Sequence, residues 1–283
     1  MRIANLSGRL VLVDDGRAVD VEAASDGRFG SGPQAIYSRW AEFADWAVSR
    51  GGAGGVDFDP ADLGAPAPAP RQLLAAGLNY RDHAAESGYA VPDGLPPIFT
   101  KFASSITGPV TSVTIPEGGH TDWEVELVVV IGKLARDVPA ETAWDHVAGL
   151  TIGQDISERI IQLSGPAPQF SLGKSLPGFT PMGPWLVTPD EFDDRDDLEL
   201  RCTVNGEQMQ KGRTRDLIFS VPVLISRLSQ RLPLLPGDVI FTGTPAGVGL
   251  GRDPQRWLAD GDVLVSTIEG IGELRQRFTA SEK

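Results

Sequence analysis

The chain has 283 residues, 41% hydrophobic and 22% charged, with a mean hydropathy of −0.09; this suits a globular protein with a sizeable core and excludes a disordered one. Thirty-eight acids against 25 bases leave a net charge of −13, a field that repels phosphate backbones and sets nucleic acid aside as a partner. No apolar run approaches the ~20 residues that span a bilayer, no signal-peptide pattern follows Met1, and the single cysteine, Cys202, excludes an internal disulfide framework or a multi-cysteine zinc site, so a cytoplasmic protein without membrane contact is expected.

Residues 1–21 read as short strands, with Asp14-Asp15-Gly16 as a hairpin turn signal between residues 9–13 and 18–21. From residue 34 to 49, Ile36, Trp40, Phe43, Ala44 and Ala47 recur on one helical face. A glycine run at 51–55 and an alternating Ala/Pro stretch at 60–70 favour extended chain. They set the boundary between a small N-terminal domain, residues 1–65, and a main domain, residues 70–283. Beyond Pro70 the chain is rich in Gly, Pro and β-branched residues. Residues 123–131, 239–242 and 263–269 read as strands, the last two opened by Pro236-Gly237-Asp238 and Asp260-Gly261-Asp262. A helix is expected over Val221–Ser229, capped by Ser220 and with Pro222 in its first turn. Strands outnumber helices without βα alternation, so the expected class is α+β: mixed β with peripheral helices.

Several constellations could carry chemistry. Side chains alternate along a strand, so Glu124 and Glu126 point the same way, ~7 Å apart. Two carboxylates in so apolar a segment are costly if buried unpaired, and a shared hard divalent cation such as Mg²⁺ removes the cost; an edge strand with a solvated acidic face fits the spacing equally. Asp155 reads as a third acid or as a turn aspartate, with Arg159 and Gln162 on its face if the segment is helical. Residues 79–88 read as a short helix with Asn79 as N-cap and Gly88 as terminator. There His83 and Glu86 stand at i, i+3, either as an oriented general base or as an exposed ion pair. His120 sits in a loop and His146 in a helix, where a structural role is expected. Gly173-Lys174-Ser175 lacks the spacer of a phosphate-binding loop, which argues against nucleotide binding. Residues 242–249 run from a strand end into a glycine-rich turn suited to close backbone approach to a ligand.

Five motifs occur in order: Asn-Tyr-Arg-Asp-His-x-x-Glu from Asn79, Asp-Trp-Glu-Val-Glu-Leu from Asp122, Asp-Ile-Ser-x-Arg from Asp155, Gly-Lys-Ser from Gly173, and Leu-Pro-Gly-Asp-Val-Ile-x-Thr-Gly-Thr-Pro-x-Gly-Val-Gly from Leu235. Together, over about residues 74–278, they resemble the fumarylacetoacetate hydrolase family. The resemblance implies a β-roll catalytic domain of mixed sheets, in a homodimer. It also implies Mg²⁺ or Mn²⁺ on Glu124, Glu126 and Asp155, and His83 with Glu86 as a general-base dyad on a lid. Lys174 would face the reacting carbonyl, and Arg81, Arg159, Gln162 and Thr244 would contact a small anionic 2-oxo acid.

The activity implied is metal-dependent hydrolysis of a C–C bond in an acylpyruvate-like β-diketo acid: His83 takes a proton from water, and Lys174 and the metal stabilise the departing enolate. Decarboxylation of oxaloacetate, and isomerisation or hydration of unsaturated 2-oxo acids from aromatic breakdown, would use the same groups. A non-catalytic binding protein on this fold would have lost a ligand or the dyad, and neither is lost. The chain departs from the pattern at Ser157-Glu158-Arg159-Ile160, where many relatives have Ser-Ala-Arg-Asp, and in a Pro-rich stretch at 160–172 expected to border the pocket.

Overall fold

Short buried runs, opened by arginines, make strands of the first segment, β1 (Arg2–Leu6), β2 (Arg9–Asp14) and β3 (Arg17–Asp20). Asp15 and Gly16 turn β2 into β3 at φ +47° and +74°, the left-handed pair that matches the twist of a hairpin. The computed structural model describes residues 1–50, 54–86, 88, 90 and 94–281. After α1 (Val21–Ala24), the helical face predicted over 34–49 divides into a 3-10 turn, Ala35–Arg39, and α2 (Trp40–Arg50). Ile36, Tyr37 and Phe43 are its buried residues. β4 (Leu63–Gly64), β5 (Leu73–Ala76), α3 (Arg81–Glu86), β6 (Ile98–Thr100), β7 (Ile106–Thr107), β8 (Val110–Ile115) and β9 (Thr121–Asp122) follow. Next come β10 (Val125–Ile131), β11 (Val147–Gln154), β12 (Ser157–Glu158), α4 (Arg159–Gln162), α5 (Phe170–Gly173) and β13 (Thr180–Val187). The chain closes with β14 (Glu199–Val204), β15 (Glu207–Arg213), α6 (Val221–Ser229), β16 (Val239–Phe241), β17 (Val263–Ile268) and β18 (Gly272–Ala280).

Among the described residues, eleven strands share one sheet in the order β3-β2-β1-β13-β11-β10-β16-β5-β6, with β4 beside β1 and β7 beside β13. Five more form a second sheet, β15-β14-β17-β18-β8. Most neighbours are antiparallel, while β16–β5, β13–β7 and β18–β8 are parallel. Mixed sheets with few helices are the architecture expected from the sequence. Hydrogen bonding joins the two sides of the compositional boundary at 60–70, because β1 pairs with β13. No helix among the described residues is long and apolar enough to cross a membrane.

β10 is buried along its whole length between β11 and β16, so the solvated edge-strand alternative for Glu126 is excluded. Val125, Leu127, Val129 and Ile131 pack between the two sheets with Leu200, Cys202, Leu264 and Phe278. Val128 and Val130 face the opposite way, into a cluster with Phe29, Tyr37 and Phe43. Three expectations of local detail are corrected. The strand begins at Val125 rather than residue 123. Ser220 makes no side-chain cap on α6 although the helix spans the predicted residues. Asn79 does not cap α3; its amide donates to the carbonyls of Phe219 and Thr242 and accepts from the Phe219 N–H, tying three segments together.

Candidate active site

The end of β10 builds the site. Val125 and Gln154 are the last paired residues of β10 and β11, and one step beyond, the Asp155 N–H donates to the Glu124 carbonyl at 2.9 Å. The two strands part there, and the amides freed at the break are taken by side chains: Gln154 Oε1 accepts from Glu124 N–H at 2.8 Å and Gln210 Oε1 from Val125 N–H at 3.0 Å. Satisfied amides leave the Glu124 side chain free to leave the ladder without orphaning a buried donor. Glu124, Glu126 and Asp155 converge, all buried, with one ligand oxygen from each lying within 4.8 Å of the others.

Cations crowd around them. Lys174 Nζ donates to Glu124 Oε2 at 2.7 Å and to Asp155 Oδ2 at 2.6 Å. Arg159 Nη2 reaches Glu124 Oε1 at 2.8 Å, and its Nε donates to Asp122 Oδ2 at 2.8 Å. Lys101 Nζ donates to Asp155 Oδ1 at 2.5 Å, to the Phe179 carbonyl at 3.0 Å and to the Lys174 carbonyl. Sequence reasoning missed Lys101 and gave Asp122 no role. The available signal for the lysine was its rarity, one of five lysines in the chain, placed just after Ile98-Phe99-Thr100.

Four buried carboxylates therefore meet three buried cations, and the surplus falls on Glu126. Burial, and then the charges of Asp155 and Glu124, push its carboxyl well above the usual range. Burial also raises Glu124, but Lys174 and Arg159 outweigh it and hold that carboxyl far below its ordinary value. Burial lowers Lys101, partly offset by Asp155. A divalent cation fits this site: it would supply the positive charge that Glu126 lacks, and an all-carboxylate donor set suits hard ions such as Mg²⁺ or Mn²⁺. A carboxylate has about four lone-pair sites, so the oxygens that accept from lysine can also coordinate.

Two short helices position the cavity-lining Arg159, Gln162 and Lys174. Glu158 accepts from the N–H groups of Ile160 and Ile161 and caps α4. That helix carries Arg159 and Gln162, joined by a 2.8 Å hydrogen bond from Arg159 Nη1. Asp155 lies outside the helix and reaches the same place from the end of β11. α5 packs so closely on α4 that a Cβ at Gly173 would stand 2.5 Å from the Gln162 nitrogen; only glycine lets the following Lys174 reach the carboxylates.

On the opposite wall, α3 presents His83, whose Nδ1 lies 2.8 Å from Glu86 Oε1. Glu86 in turn accepts from the Gly247 N–H, at 2.9 Å to Oε2. Gly247 sits at φ +107°, and a Cβ there would lie 2.1 Å from the Met209 carbonyl, so the glycine-rich turn has one backbone shape, and that shape orients the dyad. Asp122 holds the same turn by accepting from Gly249 and Leu250, and so links it to Arg159.

A cavity of about 440 Å³ is lined by His83, Glu86, Glu124, Glu126, Arg159, Gln162, Lys174 and Thr244. Asp155, the third carboxylate of the cluster, does not line it. The Thr244 hydroxyl is engaged at 2.9 Å to the Val125 carbonyl and at 2.7 Å from Gln210. Arg81 is not brought in: it is exposed on α3 and does not line the cavity. A cleft of about 470 Å³ beside α6 has Arg227 and Arg231 as its chargeable lining residues and no carboxylate. His120 stacks on Trp257 with centroids 4.6 Å apart, away from the cavity lining.

Several known proteins are similar to this chain. The chain is 46% identical over 218 residues, 76% of each chain, to 2,4-didehydro-3-deoxy-L-rhamnonate hydrolase of Sphingomonas sp. (strain SKA58). It is 44% identical over 209 residues to the mitochondrial oxaloacetate tautomerase FAHD2A of Bos taurus, covering 74% of this chain and 66% of that one. The crystal structure of maleylpyruvate hydrolase from Sphingobium sp. SYK-6, in complex with manganese (II) ion and pyruvate, superposes with a TM-score of 0.81 at 28% identity over the full length of both. The model of the fumarylacetoacetate (FAA) hydrolase C-terminal domain matches residues 72–279, and the chain belongs to the fumarylacetoacetate hydrolase family.

Proposed function

We propose that this protein is a divalent-metal-dependent hydrolase that cleaves a C–C bond in a small acylpyruvate-like β-diketo acid. The observation that carries the reading is one cavity lined by the His83–Glu86 dyad and by Glu124 and Glu126, which cluster with the buried Asp155. The three carboxylates would hold Mg²⁺ or Mn²⁺, which when bound supplies Lewis-acid polarisation of the substrate's oxygens. Arg159 and Gln162 would orient the substrate carboxylate. Glu86 accepts from His83 Nδ1–H, which leaves Nε2 with its lone pair to take a proton from water. The hydroxide adds to the distal carbonyl. When the C–C bond breaks, its electron pair passes to the 2-oxo acid as an enolate, whose charge Lys174 stabilises. The protonated His83 returns its proton, giving a carboxylate and a 2-oxo acid such as pyruvate.

The oxaloacetate tautomerase relative favours a second reading, enolisation or decarboxylation of oxaloacetate, which needs no attacking water. Turnover assays on metal-stripped protein resupplied with Mg²⁺ or Mn²⁺ separate the two. Metal-dependent release of pyruvate from acetylpyruvate is expected. Conversion of oxaloacetate alone would replace the hydrolase reading with the second one.

A further inference from the structure

We infer that the preferred substrate carries a neutral, apolar group beyond its reacting carbonyl, and not a second carboxylate; the inference rests on the acylpyruvate reading above. The cavity is divided by polarity. Its polar lining side chains, His83, Glu124, Glu126, Arg159, Gln162, Lys174 and Thr244, are buried apart from the half-buried Glu86. Its remaining large side chains, Leu78, Pro97, Phe99, Leu163, Phe170 and Leu250, are all partly or well exposed and so stand nearer the opening. Phe99 and Phe170 meet edge to face with centroids 5.6 Å apart, a preformed apolar wall of the kind that receives the non-reacting part of a ligand.

Among the described residues, cations are missing where a second carboxylate would need one. The lining cations outside the dyad are Arg159 and Lys174, and each already bridges two of the buried carboxylates. The Pro-rich stretch 160–172 that supplies Leu163 and Phe170 contains no Lys, Arg or His. An anion brought to that end would be desolvated against leucine and phenylalanine, within a protein of net charge −13. An alkyl or aryl group there would gain about three- to fourfold in kcat/KM for each methylene buried.

The test measures kcat/KM on the Mn²⁺-loaded enzyme for 2,4-dioxo acids with methyl, propyl and phenyl ends, beside a dioxo acid of matched length ending in carboxylate. The expected order is phenyl and propyl above methyl, with the dicarboxylate at least about tenfold below its neutral counterpart. A dicarboxylate equal to or better than its neutral counterpart overturns the inference and leaves the hydrolase reading standing. Cleavage of none of them overturns the hydrolase reading and the inference with it. Leu163→Arg, on an exposed side chain of which 41% is accessible, places a cation at the opening and is expected to raise the dicarboxylate-to-neutral ratio about tenfold, mainly through KM. An unchanged ratio would mean that this end of the cavity does not meet the substrate.

Discussion

Glu124 and Glu126 lead into the same face of β10 that continues as Val128 and Val130. All four are buried, yet the two ends of this line rest on different physics. At the apolar end, Val128 and Val130 join a cluster in which Phe43 packs against Phe29 at 5.5 Å and Trp46 at 5.8 Å between centroids. Each buried apolar side chain there contributes about 1.5–3 kcal/mol to folding. At the polar end, four carboxylates and three cations have lost their water, and their mutual attraction does little more than offset that loss. One end stabilises the fold; the other is a liability unless it does chemistry. A substitution at either end should therefore damage one property and spare the other.

The sharpest break is Glu126→Gln. The amide oxygen can still accept from Gly243 N–H, at 2.6 Å to Oε2 in the parent, but the surplus negative charge is gone. Metal-binding heat and turnover are expected to vanish together, while the metal-free variant unfolds at the same temperature as the parent or higher. A variant that binds Mn²⁺ like the parent would remove Glu126 from the ligand set. His83→Gln comes next: hydrolysis should fall by about 10²–10⁴-fold with Mn²⁺ affinity and unfolding temperature preserved, and undiminished hydrolysis would refute the base. Phe43→Ala is the mirror image, costing about 3–5 kcal/mol of stability in denaturant titration while kcat/KM at 25 °C stays at the parent value.

The two ends were not equally legible in the sequence. The dyad could be read because His83 and Glu86 are three residues apart, and the acidic pair because strand alternation fixes a face within one segment. Spacing could not say whether that face was solvated, since this depends on β11 and β16 flanking β10, and such pairings join residues far apart in the chain. Lys101 was invisible for the same reason: it meets Asp155 across 54 positions. Arg81 shows the converse, a residue inside a matching motif that is exposed on α3 and does not line the cavity. Glu158 shows in the sequence only as a charged residue, and its role as the cap of α4 depends on the fold of the turn around it.

Cys202 tests how far the polar end reaches. It is buried among the apolar residues between the sheets, and its sulfur lies 3.7 Å from Gln154 Nε2, the same side chain whose Oε1 holds the Glu124 amide. Burial pushes the thiol well above its ordinary range, so little of the reactive thiolate forms. Iodoacetamide at pH 8 should therefore leave activity intact. Cys202→Ala should cost about 1 kcal/mol and leave kcat/KM unchanged, because Gln154 keeps its stronger 2.8 Å hydrogen bond to Ser266. A fall in kcat without loss of stability would place Cys202 in the network that positions Glu124, and would extend the polar end of the site across the core into the second sheet.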